Sequence, residues 1–185
     1  MMKISGGHLR GRSLKPPKGR DIRPTSDKVR QAIFNMLNAR GGVAGARVLD
    51  AFCGSGALGL EALSQGADFC HFWDTSPASV ALCRENVALL QLEECSKISL
   101  QDATKPSKKP QETGRIDLVF LDPPYGKDLL FRTIQRLLQD GWIEDKSLFL
   151  LEMGAKENPD ICGLTVLQEK TYGDTKIILA QSTPE

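Results

Sequence analysis

The chain is 185 residues long, 41% hydrophobic and 25% charged, with a net charge of +1. This is the composition of one soluble globular domain, large enough to cover a sheet with helices on both faces. No apolar run approaches membrane-spanning length, and Met1-Met2-Lys3-Ile4-Ser5-Gly6-Gly7 is not expected to be a signal peptide. Five cysteines (Cys53, Cys70, Cys83, Cys95 and Cys162) are odd in number and form no Cys-x-x-Cys pair. They point to a reducing, cytoplasmic location and away from structural zinc. His8 and His71 are too few for a histidine-rich metal site, so no metal is expected.

The small net charge hides an asymmetry. Residues 1 to 30 carry nine bases and two acids, a balance of +7, whereas the remaining 15 bases and 21 acids give −6. A basic amino-terminal arm on a mildly acidic body is what contact with a phosphate backbone requires, although solvated loops also collect Lys and Arg. Arg10, Arg12, Lys15, Lys18 and Arg20 are the candidate nucleic-acid contacts. Gly6-Gly7, between Lys3-Ile4-Ser5 and the run Leu9 to Leu14, predicts a basic β-hairpin turning at the glycines. Lys15-Pro16-Pro17-Lys18-Gly19 reads as a loop. Ser26 is an N-cap for a helix whose apolar face is Val29, Ala32, Ile33, Met36 and Leu37, ended by Gly41-Gly42. The division is a 1–40 extension of hairpin and helix packed on a 41–185 domain.

The stretch Arg47-Val48-Leu49-Asp50 predicts a short strand, followed by Ala51-Phe52-Cys53-Gly54-Ser55-Gly56 as a glycine-rich turn into a helix ending near Gly66. Such glycines let the backbone approach a ligand, and the helix N-terminus offers free N–H groups. Gly54-Ser55-Gly56-Ala57-Leu58-Gly59 also satisfies the dinucleotide fingerprint, with Asp74 at about the right distance beyond, so a nicotinamide-dependent dehydrogenase is a rival. Asp50 weighs against it, because a carboxylate before the glycines repels a pyrophosphate.

Phe69 to Asp74 predicts the next strand, with Asp74 placed at its end to accept from both ribose hydroxyls of a bound nucleoside. Ser76-Pro77 starts a helix as N-cap and first residue, with Val80, Cys83, Val87 and Leu90 inward. Lys97 to Gln101 predicts a third strand, followed by Asp102-Ala103. Residues 104 to 115 are rich in Lys and Pro and predict a flexible surface loop.

Ile116 to Leu121 reads as a buried strand ending in Asp122-Pro123-Pro124-Tyr125. At the carboxyl edge of a parallel sheet, where ligands bind, two prolines make a stiff loop whose carbonyls remain acceptors. Acceptors beside an aromatic ring suit a planar substrate with an amino group, such as an extruded base stacked on Tyr125. Hydride transfer has no need of this segment. Leu129, Leu130, Ile134, Leu137 and Leu138 mark an amphipathic helix, Leu148 to Leu151 another buried strand, and Leu164 to Leu167 with Ile177 to Ala180 a closing antiparallel pair around Tyr172-Gly173-Asp174.

Two of these segments resemble known motifs. Asp-Ala-Phe-Cys-Gly-Ser-Gly is similar to the S-adenosylmethionine (AdoMet) loop of class I methyltransferases, where a carboxylate such as Asp50 can accept from the methionine ammonium. Asp122-Pro123-Pro124-Tyr125 resembles the catalytic motif of enzymes that methylate exocyclic amino nitrogens. Taken with Gly7-x-x-Arg10-Gly11-Arg12, Arg23-Pro24-Thr25-x-Asp27-Lys28-Val29-Arg30 and Gly54-Ser55-Gly56-Ala57-Leu58-Gly59-Leu60-Glu61-Ala62, they resemble the RsmD family over nearly the whole chain. The sequence departs from that family at Asp74-Thr75-Ser76-Pro77, where a glutamate followed by charged residues is more usual, and in the weakly apolar 104–115 loop.

The resemblance implies an α/β class I AdoMet-dependent methyltransferase fold, Rossmann-like, with a seven-stranded, mostly parallel sheet. It implies methyl transfer from AdoMet to the N2 amino group of guanine 966 in 16S rRNA, with S-adenosyl-L-homocysteine as product. Arg23, Thr25, Asp50, Phe52, Gly54, Ser55, Gly56, Asp74, Asp102 and Ala103 would line the cofactor site, with Arg23 and Thr25 near the methionine end and Asp102 at the adenine amino group. Asp122, Pro123, Pro124 and Tyr125 would form the catalytic group. The expected partner is 16S rRNA within an assembled or assembling small subunit, with no membrane involved and a monomer favoured. The alternatives are a DNA adenine-N6 or cytosine-N4 methyltransferase, which usually carries a separate recognition domain, and a non-catalytic rRNA-binding assembly factor with a vestigial pocket.

Overall fold

The computed structural model describes residues 2–17, 26–124, 128–161 and 163–183. Two short strands, β1 (Met2–Lys3) and β2 (Ser13–Leu14), pair antiparallel before helix α1 (Asp27–Asn38). The body follows as β3 (Arg47–Asp50), α2 (Ala57–Ser64), β4 (Phe69–Asp74), α3 (Pro77–Leu90), β5 (Ser96–Leu100), β6 (Leu118–Leu121), α4 (Leu129–Gln139), β7 (Leu148–Gly154), β8 (Leu164–Tyr172) and β9 (Thr175–Ser182).

Strands β3 to β9 form one sheet in the order β5-β4-β3-β6-β7-β9-β8. The first five are parallel, while β9 runs antiparallel to both β7 and β8. The order reverses between β3 and β6, which creates a crevice at their carboxyl ends where an open α/β sheet binds its ligand. Alternate residues divide the core. Val48, Phe72, Phe120, Leu150 and Leu179 face α1, α2 and α3, while Leu49, Trp73, Val119, Leu121 and Phe149 face α4.

Local signals explain most elements. Ser26 Oγ accepts from the Val29 amide at 3.2 Å to start α1, and Ser76 Oγ accepts from Ser79 at 3.3 Å to start α3, with Pro77 at its first position. Gly66, at φ +102°, follows the last turn of α2. The rings of Phe34 and Phe120 lie 5.9 Å apart, seating α1 on β6.

Two expectations are corrected. The hairpin does not turn at Gly6-Gly7, because Met2 pairs with Leu14, Lys3 with Ser13, and the Ile4 amide donates to the Arg12 carbonyl while its carbonyl accepts from Gly11, leaving residues 5–10 as a wide loop. The amides of Ser5 and Gly6 donate to Glu61 of α2 instead of crossing the hairpin, and a Cβ on Gly7 would lie 1.8 Å from the Ser64 carbonyl oxygen. The 104–115 segment is anchored, not loose. Trp142 Nε1 donates to the Ser107 carbonyl at 2.7 Å, the Lys109 amide to Asp140 at 3.1 Å, and Arg47 Nε to Thr113 at 3.0 Å. With buried Ala103 and Ile116 at its ends, this segment covers the sheet face beside α4. Smaller differences extend β8 and β9 beyond their apolar centres, since a hairpin at the sheet edge pairs backbone whether or not each side chain is apolar.

Candidate active site

The crevice is built by three strand ends. The Ala51 amide donates to Phe120 of β6 at 3.1 Å, and the Cys53 amide to Trp73 of β4 at 2.9 Å, so the loop after β3 is tied to both neighbours. The Gly54 amide then donates to Asp74 Oδ2 at 2.9 Å, while the Ser76 amide donates to Oδ1 at 2.8 Å. Asp74 therefore holds the glycine loop and the start of α3 in register, with a second lone pair left on each oxygen for a ribose hydroxyl.

Backbone conformation makes the loop a cradle. Gly54 has φ +52° and nothing within 4 Å of where its Cβ would stand, so its outer face is open. Gly56 has φ +82° and begins α2 with no side-chain cap, while its own amide closes on the Cys53 carbonyl at 2.7 Å. A Cβ at Gly56 would approach Cys83 Sγ to 2.8 Å. These features fit a ligand laid along the loop against the uncapped N-terminus of α2. Phe52, half-buried, and Ala103, buried, belong to the cluster that includes Trp73, and they supply an apolar wall for a ring.

Asp50 is only 2% exposed and accepts from the Gly59 amide at 3.0 Å. Burial raises its pKa to about 7; the Gly59 hydrogen bond opposes this, while the charges of Asp122 and Asp74 add to it. A cation beside it would be strongly favoured, which suits the ammonium group assigned to this position. Asp102 Oδ1 accepts from both the amide and the hydroxyl of Thr104, at 2.8 and 2.7 Å. Burial pushes its pKa up, but those two bonds, with Lys105 and Arg132, outweigh burial and hold it below its ordinary value.

Asp122 is half-buried at the end of β6, Pro123 is buried and Pro124 exposed. Asp50 pairs with Phe120 across β3 and β6, two residues before Asp122, so the two carboxylates stand at the same edge. Glu152, almost fully buried, was not anticipated; the pairing of Leu121 with Leu151 puts it beside this edge on β7. Tyr125, Arg23, Thr25, Lys18 and Arg20 lie outside the described residues. Of the other arm bases, Arg10 is exposed, Arg12 donates to the Leu89 carbonyl at 3.2 Å, and Lys15 pairs with Glu85 at 3.0 Å, so the arm runs along α3.

The residues that hold the arm were also unanticipated as such. Glu61 and Arg30, both 0% exposed at the side chain, pair at 3.3 Å. Glu61 also accepts from Ser5 at 2.8 Å, Gly6 at 2.6 Å and Gln65 Nε2 at 2.9 Å. Arg30 donates to the Lys3 carbonyl and to Asp27. The available signal was a charged residue on each of two helices otherwise patterned for burial.

A glycine cradle at the end of β3, acids at the ends of β4 and β5, and Asp-Pro-Pro after β6, set in a sheet of this order, define an AdoMet-dependent methyltransferase. The family model described as Conserved hypothetical protein 95 matches residues 2–181, and the chain belongs to this family, the RsmD family. YlbH of Bacillus subtilis (strain 168) is 34% identical over 182 residues, covering 96% of this chain and 97% of its own length. Ribosomal RNA small subunit methyltransferase D of Haemophilus influenzae is 32% identical over 184 residues, covering 98% and 94%. The solved structure of YhhF from Escherichia coli superposes with a TM-score of 0.86 at 32% identity, covering 100% of this chain and 99% of its own.

Proposed function

We propose that this enzyme methylates the N2 amino group of guanine 966 in 16S rRNA, presented within a small ribosomal subunit, with AdoMet as donor. The observation that carries this reading is the adjacency, at the β3/β6 crevice, of the cradle around Gly54 and Gly56 to the acceptors of Asp122 and Pro123. The curated relative named ribosomal RNA small subunit methyltransferase D supports an rRNA substrate.

When bound, AdoMet supplies an electrophilic sulfonium methyl group and leaves as S-adenosyl-L-homocysteine. Gly54, Ser55 and Gly56 would hold its methionine half, with Asp50, Arg23 and Thr25 as the partners for the ammonium and carboxylate. Phe52, Asp74, Asp102 and Ala103 would hold the nucleoside half. A guanine amino nitrogen is a weak nucleophile because its lone pair is delocalised into the ring. Asp122 and the Pro123 carbonyl accept its two hydrogens, so the nitrogen pyramidalises and its lone pair is aimed along the line of transfer. Pro124 and Tyr125 seat the base, and positioning supplies most of the rate. Methyl transfer would form the N–C bond at the expense of the C–S bond, and Asp122 or water would take the proton of the acidified amine. Arg10, Arg12, Lys15, Lys18 and Arg20 contact backbone phosphates. No step calls for a metal.

The test is labelled AdoMet with small subunits from cells lacking the gene, beside protein-free rRNA and DNA, followed by nucleoside mass spectrometry. N2-methylguanosine from subunits alone is expected. Methyladenine or N4-methylcytosine from DNA would overturn the rRNA assignment, and absence of transfer to every substrate would overturn catalysis. Asp122→Ala should lower turnover at least about 100-fold while leaving AdoMet affinity nearly intact; loss of both together contradicts this division of roles.

A further inference from the structure

We infer that Asn86 is a positioning residue that ties the basic arm to the glycine loop, so that cofactor and rRNA bind with positive coupling. The inference rests on the function proposed above. Asn86 lies on α3 and is 0% exposed. Its Oδ1 accepts from the Lys15 amide at 2.8 Å, and its Nδ2 donates to the Lys15 carbonyl at 3.1 Å and to the Ser55 carbonyl at 2.9 Å. Both amide protons and the carbonyl oxygen are thus committed, two bonds to the arm and one to the loop. The side chain cannot flip without placing N–H against N–H at Lys15, and with no exposure water cannot take over a lost bond.

The neighbouring contacts make this a joint. One turn earlier on α3, Cys83 Sγ is the atom against which Gly56 closes. Glu85 pairs with the Lys15 ammonium, and the Leu89 carbonyl accepts from Arg12. One face of α3 therefore carries the cofactor loop at one point and the arm along its length, and Asn86 is where a single side chain touches both. A shift of Ser55 by a fraction of an ångström strains the bonds to Lys15, and the reverse holds equally. A ligand that settles the loop thereby favours the bound position of the arm, and by linkage the arm's ligand favours the loop to the same factor.

The test measures the affinity of the full-length protein for small subunits with and without saturating S-adenosyl-L-homocysteine, and its affinity for S-adenosyl-L-homocysteine alone by calorimetry. The wild type should bind subunits at least about fivefold more tightly with the cofactor product present. Asn86→Ala should bring that ratio to about one. Should it fail to fold, Lys15→Pro serves: Lys15 precedes Pro16 and is already restricted to extended backbone, so proline removes the N–H that donates to Asn86 together with the ammonium that pairs with Glu85, and Lys15→Ala controls for the ammonium. Lys15→Ala, which loses the ammonium but keeps both backbone bonds, should bind subunits more weakly with and without S-adenosyl-L-homocysteine yet retain the wild-type ratio. A wild-type ratio of one, or an undiminished ratio in Lys15→Pro, overturns the inference while both ligands still bind. A wild type that binds neither ligand overturns the proposed function and this coupling with it.

Discussion

Replacing Asp50 with Asn separates the folding role of that carboxylate from its binding role. The side chain is buried and its pKa stands at about 7, against 3.8 in the ordinary case, chiefly because burial disfavours the charge. The folded protein therefore holds the proton through a window in which the unfolded chain has released it. Between pH 3.8 and 7 the folded state binds more protons, so stability falls as pH rises, and the full cost, about 4 kcal/mol, is present above pH 7. Asn is nearly isosteric, keeps an acceptor for the Gly59 amide and carries no charge. His71 acts in the opposite sense: burial first, then Arg47 and Lys97, lower its pKa to about 4, so its contribution is lost as pH falls from 6.5. The quantity to compare is accordingly the difference between variant and wild type, in which His71 and the carboxylates that do not interact with Asp50 cancel, and the change in its coupling to Asp122 and Asp74 belongs to the effect measured. Urea unfolding of the ligand-free proteins should give equal stabilities near pH 4 and a variant more stable by up to about 4 kcal/mol at pH 8. The same variant should bind AdoMet at least about tenfold more weakly at pH 8, a loss of about 1.4 kcal/mol. Wild-type AdoMet affinity should itself fall below pH 7, where Asp50 must release a proton to receive the ammonium. A pH-independent stability difference, or a destabilised variant that binds AdoMet normally, would refute the reasoning.

Gly56→Ala should lose about 1–3 kcal/mol of stability and most AdoMet affinity, because φ +82° and the 2.8 Å approach to Cys83 Sγ leave no room for a methyl group; chemical unfolding and calorimetry measure the two, and a neutral result would refute the cradle. Glu61→Ala should cost about 3–5 kcal/mol, since it strands Arg30 and the amides of Ser5 and Gly6. Limited proteolysis should then cut within residues 4–12, and a loss below about 1 kcal/mol would show that the pair behaves as a surface bridge.

Much of the body was legible because its signals are local. Ser26, Ser76-Pro77, Gly66 and Gly173 each end or begin an element through a hydrogen bond or backbone angle formed within a few residues. The continuous apolar runs of β3, β4, β6 and β7 follow from strands buried on both faces. The glycine loop and Asp122-Pro123-Pro124 were legible as segments at the strand ends for a related reason: in the proposed function the ligand approaches the backbone itself, so residue types and spacing carry the message.

What the sequence by itself determined was therefore the sheet with its helices, the glycine-rich loop after β3 and the Asp-Pro-Pro segment after β6. Tertiary structure alone decided the wide loop after β1, the anchoring of residues 104–115 by Trp142, the raised pKa of Asp50, and the joints made by Glu61 and Asn86. Each depends on partners tens of residues away, such as Ser5 with Glu61 and Lys15 with Asn86. A buried polar group is costly unless its partner is present, but nothing in its own neighbourhood along the chain names that partner; the packing of the whole domain does.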